Sequence, residues 1–474
     1  MGKYRSLLIN IGIFAINIFA TKLIAFFMVP LYTASMSPLE YGVADMAQTV
    51  QNLLTPVLTL SIADGVLRFS IESSRKKDIY ISSGLYVTIF SCIAAFVLLP
   101  LLNNQIFGGL GQYKILFWVV YSAGAFQTFF SNVARAHGHL RLIASASVMT
   151  ALLTCVSSVL LIVYLDLGVT GYLASLAFGA MFADALYIVV GGFRNYIVFA
   201  RFNDSDVKED LRPLLHYSLP LVPNSVFWWV GMGVSRFFIT GSLGVAASGL
   251  YAAASKLPNL INSAYSIFQQ AWTLSSFQEY GQRGLSDFYS NVFKALQLLL
   301  VFVCEVLIMG APVLSAFFLQ KDFYVGWIYI PLVSVGVFLS CLNSFYGSVF
   351  TSSKQTGVLM RTTFLGAAIC VIASAVLTPS LGIAGAALST SICNGAMLLS
   401  RVRLSRGVID FKVNWTLCIS SLFVMLAQSY AFFQFGTTSL AAVCVCGVCL
   451  ISIQVCSCIP MLRSVLRFAK HRQR

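Results

Sequence analysis

Apolar runs longer than about 18 residues recur from one end of this sequence to the other, which narrows the fold to one class. In hydrocarbon each backbone polar group must find its partner within the protein, so a chain that crosses many times does so as helices. Of the 474 residues 58% are hydrophobic and 10% charged, and the mean hydropathy is +0.85, which excludes a string of soluble domains. The pattern predicts an all-α polytopic membrane protein with about 14 transmembrane helices. They lie near 7–32, 43–67, 79–102, 113–133, 142–165, 171–193, 214–240, 249–274, 290–319, 328–352, 357–378, 384–404, 416–435 and 440–462. The first run, Leu7–Tyr32, is too long for a signal-peptide core and lacks a small-residue cleavage site behind it, so it is expected to stay in the mature protein.

A net charge of +14 raises nucleic acid as a partner, but its placement argues for a membrane instead. Basic residues gather in alternate loops: around Lys3, around Arg75–Lys77, at Arg135 and Arg141, between Arg194 and Arg212, at Arg401–Lys412 and from Arg463 to Arg474. The loops between them hold little beyond Lys114 and Lys321. This asymmetry is the positive-inside signature and predicts both termini in the cytoplasm. Most of the 12 cysteines fall in apolar segments, which argues against a disulfide framework. Cys446 and Cys449 have the CxxC spacing without a nearby histidine or carboxylate, so core packing is the expected role.

The chain repeats itself. Gly42 with Asn52-Leu53-Leu54 matches Gly249 with Asn259-Leu260-Ile261 at constant offset. Leu167-Gly168-Val169-Thr170-Gly171 matches Leu381-Gly382-Ile383-Ala384-Gly385. Six spans separate the members of each pair, so the repeats share one membrane orientation: two parallel six-helix bundles plus two C-terminal helices. The expected division is an N-terminal bundle over 1–193, a cytoplasmic linker over 194–213, a C-terminal bundle over 214–406, and two further helices with a basic tail over 407–474.

Within this frame the stretch Glu40–Phe69 stands out. It is long and apolar enough to span, yet it carries Asp45, Gln48, Gln51, Asn52, Thr55 and Asp64. Gln48, Asn52 and Thr55 fall at helical spacing, and a polar face in hydrocarbon should turn toward protein or water. Pro56 predicts a kink mid-span. Gly42, Asp45, Gln48, Gln51, Asn52 and the closing Ala63-Asp64-Gly65-Val66-Leu67-Arg68-Phe69 resemble the second helix of Wzx-type polysaccharide (O-antigen) flippases. These belong to the multidrug/oligosaccharidyl-lipid/polysaccharide (MOP) exporter superfamily. Tyr217-Ser218-Leu219-Pro220-Leu221-Val222-Pro223-Asn224 resembles that family's entry into helix seven. Gln270-Ala271-Trp272 and Phe277-Gln278-Glu279-Tyr280 resemble its exit from helix eight. One departure is that Ser235, not an aspartate, precedes Arg236.

The resemblance implies a flippase for an undecaprenyl-diphosphate-linked glycan in the bacterial plasma membrane, working beside glycan polymerase and ligase machinery. It implies no enzyme activity, no metal and no cofactor beyond coupling to H⁺ or Na⁺. Lys22, Lys256 and Arg236 sit at related depths in the first two spans of each half, and a basic cavity suits a diphosphate. Gln48, Gln51, Asn52 and Asn259 complete the expected cavity lining. Asp45, Asp184 and Glu305 are the candidates for coupling, with Asp184 expected to pair with a basic residue of its own bundle.

No GxxxxGK[ST] or HExxH pattern occurs, and the four histidines form no ligand set. Two other readings stand beside the flippase: a cation-coupled drug exporter of the same superfamily, and a non-transporting scaffold of a glycan-assembly complex. An exporter of lipophilic cations calls for an acidic cavity, whereas the three cations above predict a basic one.

Overall fold

The computed structural model describes residues 21–72, 77–193, 205–279, 282, 284–353 and 355–472. Residues 7–20 of the first expected span and 194–204 of the expected linker lie outside them, as do Tyr280, the side chains of Gln270, Ala271, Phe277 and Gln278, and those of the basic tail from Arg463. No strand occurs among the described residues. The helices are α1 (Thr21–Ser35), α2 (Pro38–Leu58), α3 (Ile62–Glu72), α4 (Lys77–Leu98), α5 (Lys114–Ala136), α6 (Leu140–Ser158), α7 (Gly168–Val190) and α8 (Ser205–Ser218). They continue with α9 (Leu221–Leu243), α10 (Val245–Glu279), α11 (Leu285–Phe318), α12 (Ile330–Ser352), α13 (Thr356–Ser405), α14 (Trp415–Phe435) and α15 (Leu440–Arg472). Among the described residues 7 helical stretches are long and apolar enough to cross a membrane, or 8 with the bent pair α2–α3 counted as one span. The chain forms two compact units, Met1–Gly249 and Leu250–Arg474, which divide inside α10.

In the first unit α2 starts on a capping box. The Ser37 side chain accepts from the Glu40 N–H while the Glu40 carboxylate accepts from the Ser37 N–H, with Pro38 in the first turn. The expected kink is a full break. Pro56 brings no N–H, the helix ends at Leu58, and Leu60 and Ser61 take left-handed φ of 54° and 50° before α3 begins. The Ser61 N–H reaches back to Pro56 O, and α3 leaves at 52° to α2. A core of Val66, Tyr80, Phe129, Phe130, Tyr187 and their neighbours then joins α3 to α8. Small residues bring these helices close: a Cβ on Gly84 would strike Val66 and Phe129, and one on Gly65 would strike Ser218.

Gly42 and Gly249, matched in the sequence repeat, touch each other. A Cβ on Gly42 would collide with Val245 O, and one on Gly249 with Pro38 O. The equivalence therefore marks a place where two backbones pass with no room for side chains.

The second unit is built on aromatic rings. Trp272, Tyr289, Phe293, Phe345 and Phe411 pack with centroids 4.8 to 6.1 Å apart, and the Trp272 indole donates to Ser348 at 2.7 Å. Helix α13 is two helices joined at Gly382, whose φ of 63° and ψ of −143° no other residue adopts readily. Arg401, counted above among loop cations, is instead buried in α13 at 6% exposure. It donates to Thr362 Oγ1, Thr363 Oγ1 and Asn343 O at 2.9 to 3.2 Å, so it ties both arms of α13 to α12. The core role expected for Cys446 and Cys449 is also corrected, since both are exposed on α15.

Candidate functional site

The centre of the candidate site is the contact of α2 with α9, both in the first unit. Asp45 is placed by the first two turns of α2 and is 7% exposed. The Arg236 guanidinium of α9 reaches it from 191 residues away and donates from Nε to Oδ2 at 2.5 Å. A second guanidinium nitrogen donates to Met232 O, which fixes the fork against its own helix. The arginine is 18% exposed, so the pair sits at the edge of the packed interior. Two further contacts hold the helices together. The Trp229 indole donates to Thr49 O at 2.9 Å, and the missing side chain of Gly233 makes room for the Thr49 methyl. Along α9 the order is Trp229, Gly233, Arg236, while along α2 it is Thr49 then Asp45, so the helices run in opposite senses through this contact.

The Asp45–Arg236 pair revises the sequence reading in two ways. The acidic partner missing before Arg236 in its own helix is supplied from α2. Arg236 is then half of a neutral pair rather than a free cation awaiting phosphate, since a buried charge is tolerated when it is matched and hydrogen-bonded.

The other polar residues of α2 divide. Gln48 donates to the Tyr172 hydroxyl of α7 at 2.7 Å, and Gln51 donates to Val120 O of α5 at 3.3 Å. The Gln51 amide occupies the notch left by Gly124, where a Cβ would collide with it. These two glutamines bind helices within the unit. Tyr172 continues the network: its ring meets Tyr32 at 5.0 Å, the Tyr32 hydroxyl lies 3.1 Å from Ser158, and Ser158 donates to Ser175 at 2.8 Å. Asn52, in contrast, is exposed, as is Lys22 on α1. Neither is part of the ion pair.

Asp184 in α7 is 8% exposed, and among the described residues it has no ion pair; its Oδ1 has no hydrogen-bond partner. The basic partner expected in its bundle is absent because Ala183 and Tyr187, its neighbours on α7, face an apolar core.

The remaining candidates belong to the second unit. Lys256 and Asn259 lie on α10, and Asn259 accepts from the Asn262 amide at 3.1 Å. Glu305 in α11 is fully buried; its Oε2 accepts from the Gln428 amide of α14 at 2.9 Å, and the same amide nitrogen donates to Val443 O of α15 at 3.1 Å. Gly447 of α15 packs against this carboxyl. Glu305 thus joins α11 to both C-terminal helices. The structure gathers Asp45 with Arg236 and leaves Lys22 outside that pair. Among the described residues no group of three or more His, Cys, Asp or Glu is placed to hold a metal ion.

Comparison with known proteins gives this geometry a family. Residues 7–273, more than half of the chain, match the family described as polysaccharide biosynthesis protein. The chain belongs to the polysaccharide biosynthesis protein family. The likeness to Wzx-type flippases read from the second span agrees with this assignment. No curated protein matches the chain significantly. The fold is shared with solved transporters. Lipid II flippase MurJ in an inward closed conformation superposes with a TM-score of 0.69 at 14% identity, covering 96% of this chain and 99% of that one. An inward-facing multidrug resistance MATE family transporter of the MOP superfamily gives 0.67 at 12%, covering 83% and 95%. A MOP superfamily transporter from Pyrococcus furiosus, whose binding pocket is described as having reverse polarity, gives 0.58 at 13%, covering 84% and 96%. This family member is therefore a multi-pass membrane protein with the MOP fold, a fold whose compared members are flippases and transporters rather than enzymes.

Proposed function

We propose that this protein is a flippase that moves an undecaprenyl-diphosphate-linked oligosaccharide from the inner to the outer leaflet of the bacterial plasma membrane. The observation that carries the reading is the family match over residues 7–273, in a chain that shares the MurJ fold over 96% of its length. In this reading the chain spans the membrane fourteen times with both termini in the cytoplasm, as two parallel six-helix repeats followed by two extra helices.

The cycle is alternating access, coupled to H⁺ or Na⁺. The α2–α9 contact acts as a latch within it: Asp45 and Arg236 pair when the helices are together, and their separation frees a guanidinium that grips phosphate bidentately. Lys22 and Lys256 supply further positive charge to the same diphosphate, with Asn52 and Asn259 available to the sugars. No chemical bond is made or broken, and glycan polymerase and ligase act on the product.

Rescue of a bacterial strain lacking its own flippase, tested with defined glycan operons, is the experiment. Wild-type protein restores surface glycan. Lys22→Ala and Lys256→Ala each weaken export at unchanged protein level, and Lys22→Arg retains part of it. A protein present in the membrane that rescues no lipid-linked glycan contradicts the proposal.

A further inference from the structure

The second unit contains a polar pocket that the flippase reading does not use. It has a volume of about 260 Å³ and is lined by Lys294 and Gln297 of α11, Lys412 and Asn414 just before α14, and Gln454 and Ser457 of α15. We propose that this pocket binds a phosphate group, carried by an anionic membrane lipid or present as the free anion.

The first argument is an unmatched donor. Gln297 is 4% exposed, yet among the described residues its Nε2 has no hydrogen-bond partner. A buried N–H left without an acceptor costs about 1–3 kcal/mol, so an acceptor from outside the chain is the simplest remedy. Gln454 across the pocket differs: its amide is already committed to Leu417 O at 3.3 Å and Ser421 Oγ at 2.7 Å. The open donor is therefore specific to Gln297.

Charge points the same way. Lys294 is half-buried and Lys412 exposed, and among the described residues neither is in an ion pair. Asp287 and Asp410, the acidic residues nearest in sequence, are not part of the lining. Asn414 caps α14 by accepting from the Leu417 N–H at 3.3 Å, so the positive end of a 21-residue helix faces the same space. An ammonium pair, an open amide donor and a helix N-terminus all favour an oxyanion.

Depth suits a headgroup. Helix α11 has 34 residues, or about 51 Å, against about 30 Å of hydrocarbon, so its first turns extend beyond the apolar layer. Lys294 falls at that margin, beside the first residues of α14 and the end of the apolar run that closes at Ser457. Lipid phosphates occupy this level of a bilayer. Leu417, also in the lining, gives a glycerol or the start of an acyl chain an apolar surface.

Thermal unfolding of the full-length protein in neutral detergent tests the proposal, with phosphatidylglycerol, phosphatidylcholine and inorganic phosphate as probes. Phosphatidylglycerol should raise the unfolding temperature more than phosphatidylcholine. The double variant Lys294→Gln, Lys412→Gln should bind it about tenfold more weakly, which corresponds to one lost charge-assisted contact. Lys412→Gln alone changes an exposed side chain, keeps the fold, and should show a smaller loss in the same direction. A response to phosphatidylglycerol without one to inorganic phosphate identifies a lipid headgroup, and equal responses identify the free anion. The proposal is overturned if neither probe stabilises the wild type beyond phosphatidylcholine, or if both variants respond as the wild type does.

Discussion

Asp45 and Glu305 are both carboxylates buried in helices of a membrane protein, one in each compact unit, and they are matched in opposite ways. Asp45 faces a guanidinium that is 18% exposed, on a helix that meets α2 through a few contacts. Glu305 is fully buried and faces only an amide, which itself bonds a backbone carbonyl of a third helix. A charged pair at the edge of the packing can separate if water or an anionic substrate takes over its partners. A carboxyl enclosed by an amide and by Gly447 has no such exchange available. The comparison assigns movement to the first and fastening to the second.

Removing the cation should have the largest effect. Arg236→Ala leaves Asp45 buried without a counter-charge and should lower stability by about 3–5 kcal/mol, read as a fall in unfolding temperature and in membrane abundance. The double variant Arg236→Ala, Asp45→Ala should recover much of that loss, because no lone charge remains. Full additivity of the two single effects would break the pairing argument. Asp45→Asn should cost less, about 1–3 kcal/mol, since Arg236 retains the Met232 carbonyl and some access to water.

Much of the first unit was legible in the sequence. Apolar runs located most helices, and Pro56 announced the break that Leu60 and Ser61 complete. The matched glycines Gly42 and Gly249 turned out to be neighbours, a point that sequence symmetry suggested without stating. Helical spacing tells which residues share a face but not what meets that face. Gln48 and Gln51 were therefore read as cavity lining although Tyr172 and Val120 use them. The same limit hid the partner of Arg236, since nothing local marks a contact across 191 residues. Arg401 was taken for a loop cation because a basic residue near a helix end ordinarily is one. Gly347, which leaves room for the guanidinium, and Thr362-Thr363 were the available signals.

Glu305 should respond more mildly to a matched change. Glu305→Gln keeps an acceptor for the Gln428 amide and should shift stability by no more than about 1 kcal/mol. Glu305→Ala removes that acceptor and opens a void beside Gly447, at about 2–4 kcal/mol. If Glu305→Gln proved as damaging as Asp45→Asn, the distinction between the two sites would fail. The smallest expected effect is Gln48→Leu, which loses one interhelical hydrogen bond of about 0.6 kcal/mol and should leave transport near normal.

The most direct test is flipping in proteoliposomes loaded with a fluorescent undecaprenyl-diphosphate oligosaccharide, following its exposure at the opposite leaflet. The account predicts that wild-type protein accelerates exposure over empty vesicles. It also predicts that Glu305→Gln matches the wild type and that Asp45→Asn is slowed about tenfold at equal protein content, the equivalent of one charged contact. Exposure by the wild type no faster than in empty vesicles would contradict the account.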